Sequence, residues 1–160
     1  MKKLKTKIGI TEKHLHESTG VLGAILADEM VLYVKTRKFH WNVAGDSFME
    51  LHKLFQSQYT ELEEAIDQVA ERIGKLGDKT IGTMEEFLKY ATIKEHPRKH
   101  ESAKEMIKEL HADHQTIIIK LRKDIEECSK QSKDSGTADF LTGLMEQHET
   151  TAWILGRYSN

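Results

Sequence analysis

From Ser47 to Leu76 the chain runs about thirty residues without a proline, while Phe48, Leu51, Leu54, Phe55, Leu62, Ile66, Val69 and Ile73 return at helical spacing. At ~1.5 Å per residue this is a rod of roughly 45 Å, and a rod of that length has to bury its apolar side against others like it. The rest of the chain supplies them. Val21, Leu22, Ile25, Leu26, Met30, Leu32 and Tyr33 predict a first helix from near Thr11 to about Phe39. Met106, Ile107, Leu110, Ile117, Ile118, Leu121 and Ile125 predict a third over about 101–128, and Phe140, Leu141, Leu144, Trp153 and Ile154 a fourth from near Thr137, with Trp153 read as core. The single proline, Pro97, marks a boundary ahead of the third. Thr83 before Met84, with Glu86 at capping-box spacing, predicts a short helix to Tyr90. The expected fold is all-α: a four-helix bundle with a short extra helix in the crossover between the second and third long helices.

Two connections stand out. The segment HWNVAGD, His40 to Asp46, breaks the first helix through Asn42 and Gly45, and Asp46 or Ser47 is placed to cap the second. Lys133 to Gly136, KDSG, reads as a turn. Residues 1–10, with Lys2, Lys3, Lys5 and Lys7, read as a flexible basic arm, and 11–160 as one bundle domain. With 38% hydrophobic and 31% charged residues, disorder and collagen-like repeats are excluded. A lone cysteine, Cys128, excludes an internal disulfide, and without a charged-then-apolar leader the expected location is the cytoplasm. No window of about eighteen apolar residues predicts a membrane span. A net charge of -2 argues against a globally basic nucleic-acid binder and leaves only local patches.

Nine histidines invite a search for metal ligands. The zinc-hydrolase pattern H-E-x-x-H fails at His16, His100 and His148, where Gly20, Lys104 and Ala152 stand in place of the second histidine. Glu-x-x-His, the pattern that builds a di-iron site inside one bundle, does not occur. His111 and His114, three apart on one helix, have only Asp113 near them and read as surface histidines.

The second helix is more informative. Around its axis Gln56, Asp67 and Glu71 fall ~40°, ~60° and ~100° from His52, so all four share one broad face, with His40 in the preceding turn. His52 and Glu71 nevertheless lie about 28 Å apart along the rod, beyond the reach of one ion. The pairs 52/71 and 56/67 have a common midpoint at Glu61 and Leu62. Two copies packed antiparallel about a two-fold axis there bring His52 toward Glu71 of the partner and Gln56 toward Asp67 of the partner, twice. Imidazole with carboxylate suits iron(II) and also zinc, and a bridging carboxylate holds two cations close enough for paired redox chemistry. The same stripe also reads as a solvated helix face.

HWNVAGDSFMELHKLF, His40 to Phe55, followed by AIDQVAER, Ala65 to Arg72, resembles the signature of the Dps family, the mini-ferritins. The helix order, the short crossover helix and the run from Thr137 to Trp153 extend the resemblance over nearly the whole chain. It implies a ferritin-like bundle assembled into a dodecameric shell. Such a shell acts as a ferroxidase, oxidising iron(II), preferably with hydrogen peroxide and otherwise with oxygen, and stores ferric mineral inside. Consuming both reagents together suppresses hydroxyl-radical chemistry. The resemblance further implies that His40 and His52 of one subunit face Asp67 and Glu71 of its neighbour. Where the family usually has an aspartate four residues after the second histidine, this chain has Gln56, whose amide offers only a neutral oxygen. One tightly and one weakly held ion per inter-subunit site are therefore expected, with zinc able to substitute.

Trp41, beside the first ligand, reads either as an electron donor to a reactive oxidant or as a packed aromatic. Glu63 and Glu64 read as mineral-nucleating or simply as solvated. Asp139 and Glu149 correspond loosely to the family's three-fold pores, where a ring of carboxylates attracts cations. DNA binding through the Lys-rich arm, repeated around a shell, is conceivable by avidity but is opposed by the mildly acidic body. The alternative is a DNA-binding, nucleoid-protecting protein with a weakened ferroxidase centre. A purely structural bundle would instead be a monomer that binds no iron.

Overall fold

The computed structural model describes residues 6–95, 97 and 102–158, so Lys2, Lys3 and Lys5 of the expected arm, like His100, lie outside the described residues. There are five α-helices and no strands among them: α1 Glu12–Asn42, α2 Phe48–Lys75, α3 Met84–Tyr90, α4 Ala103–Glu126 and α5 Ser135–Arg157. Short connections make α1/α2 and α4/α5 into antiparallel hairpins, which close on each other as a four-helix bundle. The expected crossover helix is α3, and it packs on α1. Phe39, Phe55, Leu22, Ile25, Leu32, Ile73, Leu110, Leu121, Leu141 and Leu155 fill the single core.

Local chemistry sets most of the ends. Thr11 caps α1, its hydroxyl accepting from the His14 amide at 3.3 Å. The Thr83/Glu86 capping box forms as expected on α3, and Ser102/Glu105 forms a second on α4. α2 ends in a Schellman arrangement: Gly77 takes φ +88° and the Asp78 amide donates to the Ile73 carbonyl at 3.3 Å.

Four details depart from the sequence reading. α1 continues past Phe39 to Asn42, because Val43, not Asn42 or Gly45, is the first residue to turn extended. Ser47 occupies the N-cap of α2, but its side chain makes no capping hydrogen bond. α5 begins at Ser135, two residues early, because Asp134 accepts from the Thr137 amide. α4 runs on into a π-helical turn, Glu127–Gln131, closed by the Ser132 amide on the Glu127 carbonyl at 3.1 Å. Cys128 is buried in that turn. Burial, with the charges of Asp134 and Asp124, pushes its thiol up to about 11, so it is an inert packing group.

Candidate metal centre

α1 delivers His40 in its last turn and α2 delivers His52 in its second, across the bend at Gly45 (φ +107°). The two rings stack with centroids 3.7 Å apart and 22° between planes. Each ring is tied to the other residue's backbone: His40 Nδ1 lies 2.7 Å from the His52 carbonyl, and His52 Nδ1 lies 2.9 Å from the His40 carbonyl. A carbonyl only accepts, so both Nδ1 atoms carry the hydrogen. In the neutral rings both Nε2 atoms therefore hold a free lone pair, the form a metal needs. Tyr59 packs edge-on against His40 at 5.2 Å and Phe48 lies against His52 at 5.1 Å, which fixes both rings. Arg37 lies over the rings of Tyr33, Tyr59 and Trp41 and donates to the Tyr33 hydroxyl at 2.6 Å. Trp41 is 65% exposed.

The acidic residues stand at the far end of the same rod. Asp67 and Glu71 are exposed one turn apart on α2, and Glu71 accepts from Lys75 at 3.0 Å. Asp67 borders an open groove along α2 with Glu63, Glu64, Ile66 and Ala70. Gln56 is exposed one turn beyond His52. The chain thus brings His40 and His52 together and holds Asp67 and Glu71 apart from them. Among the described residues, no three His, Cys, Asp or Glu side chains of the single chain converge to hold a metal.

On α5, Asp139 is exposed in the second turn, and Glu149, ten residues and about 15 Å further on, is paired with Arg122 of α4. Trp153 is not core: it is 61% exposed, with the Arg157 guanidinium over its ring at 5.5 Å. Its neighbours Ala152 and Leu155 take the inward positions instead.

A second correction concerns His114, which is buried, not at the surface. Its Nδ1 lies 2.8 Å from Nδ1 of buried His148, whose Nε2 lies 2.7 Å from the Glu29 carboxylate. Burial, then the charges of His148 and His111, holds the His114 imidazole well below the usual histidine range. The sequence carried a signal for this trio. Glu29, His114 and His148 stand in register with the apolar stripes Ile25/Leu32, Leu110/Ile117/Leu121 and Leu141/Leu144/Leu155, positions at which a polar side chain must face the core.

Comparison with known proteins gives a consistent set. Residues 20–160 match the ferritin-like domain family. An uncharacterised low temperature-induced protein of Nostoc sp. is 44% identical over 151 residues, 94% of this chain and 84% of that one. DNA protection during starvation protein 2 of Bacillus anthracis is 36% identical over 140 residues, 88% of this chain and 94% of that one. The crystal structure of a DPS protein from Vibrio cholerae, described as a member of a broad superfamily of ferritin-like diiron-carboxylate proteins, superposes with a TM-score of 0.91 at 28% identity, covering 100% of this chain and 99% of that one.

Proposed function

The chain belongs to the Dps family of ferritin-like proteins, a family of iron storage and DNA protection, and on that premise we propose that it is an iron(II)-oxidising, iron-storing subunit whose reaction centre is shared between two copies. Iron(II) is the substrate. His40 and His52 present neutral nitrogen ligands, and Asp67 and Glu71 of an antiparallel partner present the anionic oxygens. Two iron(II) ions each give one electron to one hydrogen peroxide molecule, whose O–O bond breaks, both oxygens reaching the oxidation level of water. The ferric product hydrolyses, releasing protons, into mineral within a dodecameric shell. Trp41, exposed beside His40, supplies an electron when only one iron is in place. Zinc, with no second oxidation state, occupies the same ligands and blocks turnover.

The observation that carries this reading is the reciprocal clamp of His40 and His52, which ties both Nδ1 atoms to backbone carbonyls and leaves both Nε2 atoms for a ligand, while among the described residues no three His, Cys, Asp or Glu side chains of the one chain gather to hold a metal. Among the described residues no helix is long and apolar enough to cross a membrane, so mineral storage in an aqueous compartment, in this reading the cytoplasm, meets no conflict. The name of the Bacillus anthracis relative supports a role in shielding DNA, here through removal of iron and peroxide more than through contact, since each subunit carries a net charge of -2. Rapid-mixing absorbance of iron(II) with hydrogen peroxide tests the proposal. Glu71→Ala is expected to slow ferric formation by about 10- to 100-fold or more, and oxidation at the unmodified rate would exclude the shared centre.

A further inference from the structure

The middle of the bundle holds a polar cluster that the shared centre does not use. Glu29 on α1, Gln58 on α2, His114 on α4 and His148 on α5 come from all four long helices, and each is at most 4% exposed. Two short contacts thread it: His148 Nε2 lies 2.7 Å from Glu29 Oε1, and His148 Nδ1 lies 2.8 Å from His114 Nδ1. The second contact limits how many protons the pair can hold. Two ring nitrogens at that distance attract only when one carries the hydrogen and the other a lone pair, and two N–H groups aimed at each other repel. Whichever ring donates, the four ring nitrogens share at most three hydrogens. Only one of the two imidazoles can therefore be a cation while α4 and α5 keep this contact.

The surroundings hold the pair to that limit. A single imidazolium is answered by the Glu29 carboxylate, whereas a second would be a buried charge without a counter-ion. Among the described residues His114 Nε2, Glu29 Oε2 and both amide atoms of Gln58 have no hydrogen-bond partner. The cavity that these three residues line is about 10 Å³, the volume of one water and too little to hydrate another charged ring. The remaining groups that face the pair do not help. Glu61 of α2 is on the cavity wall but exposed, His111 of α4 adds positive charge when protonated, and Gln147 and Thr151 of α5 are neutral. Burial, then the charges of His148 and His111, keeps a proton off His114.

We propose that this cluster is an acid-operated lock: it ties α1, α4 and α5 together while one imidazole is neutral, and a second proton, which the two rings can hold only apart, opens the contact between α4 and α5. The direction follows from where that proton fits. The unfolded chain, its rings in water, binds it below about pH 6.5, and the closed bundle does not. The stabilisation is thus whole above about pH 6.5 and is lost as pH falls toward the lowered value of His114. Within that window about one proton per subunit is taken up on unfolding, which multiplies the unfolding constant about tenfold for each pH unit. Neither a metal nor a partner subunit enters, so the lock is independent of the shared centre.

Urea unfolding of the full-length assembly, at fixed protein concentration and from about pH 7.5 to about pH 5.5, reads the lock. Below about pH 6.5 the unfolding constant of the unmodified protein is expected to climb about tenfold per pH unit more steeply than that of His114→Gln or His114→Phe. The comparison is of slopes, so stability that a substitution costs at neutral pH does not enter it. The amide of His114→Gln still offers His148 an acceptor, and the ring of His114→Phe fills the space without a polar atom. Equal slopes in the unmodified protein and a folded variant overturn the lock. Deuterium exchange at the imidazole carbon between the two nitrogens, read by fragment mass spectrometry on the unmodified assembly, needs no variant. His114 is expected to show no protonation step at or above about pH 6.5, and a step there overturns the lock as well.

Discussion

Which nitrogen of an imidazole carries the proton decides whether a histidine can hold a metal, and His40 and His52 settle it for each other by donating to each other's carbonyl. In the proposed centre, Gln56 does the reverse for the second ion. It is exposed one turn from His52, and its neutral amide oxygen stands where an acid would add charge to the ligand set. An anaerobic iron(II) titration should therefore show one tight and one weak ion per shared site, and Gln56→Asp should tighten the weak one by about tenfold or more. Two equally tight ions in the unmodified protein would refute this. The change of donor was legible in the sequence, since it depends only on which atoms a side chain owns. The exposure of Trp153 was not: an aromatic at helical spacing reads as core, yet the inward places on α5 went to Ala152 and Leu155.

At the level of elements, caps and spacings read well because they are local and metric. Thr83 and Glu86 announce α3, and a helix from Phe48 to Lys75 puts His52 and Glu71 at opposite ends of one rod. Where the reading failed, tertiary partners decided. α5 starts at Ser135 because Asp134, buried, accepts from the Thr137 amide at 3.0 Å and hydroxyl at 2.6 Å, and from Arg72 of α2 at 3.2 Å. His114 was misjudged because the partners that decide its place are remote in sequence: Asp113 beside it is taken up by buried Lys35 of α1, while His114 itself meets His148 of α5. Burial pushes the Asp134 carboxyl up, but the two bonds from Thr137 and the charge of Arg72 oppose it, and the carboxyl lies below the ordinary aspartate value. A carboxyl held low in the folded state stabilises above its ordinary value and loses that contribution as pH falls through the lowered one. Asp134→Ala should cost about 2 kcal/mol near neutral pH. In urea unfolding at fixed protein concentration, the gap between variant and unmodified protein should shrink as pH drops below about 4. A gap that is constant with pH would remove Asp134 from this role.

At the scale of the whole molecule, α2 acts as a ruler: it places His52 near one end and Asp67 and Glu71 toward the other, and in the proposed centre a two-fold partner completes each half. Such a design has a consequence that a site within one subunit cannot share. A chain with His40→Ala still carries intact acids, and a chain with Glu71→Ala still carries intact imidazoles. Each alone assembles only broken centres. When the two are unfolded together and reassembled in equal amounts, half of the pairs are mixed, and in a mixed pair one of the two centres has both halves whole. About one quarter of the centres, and of the peroxide-dependent iron oxidation rate, should return. Mixing the two without exchange of subunits should return nothing, which controls for residual activity. Since the ~28 Å between His52 and Glu71 on α2 forbids one ion from meeting both within one chain, recovery absent after verified subunit exchange would refute the shared centre itself.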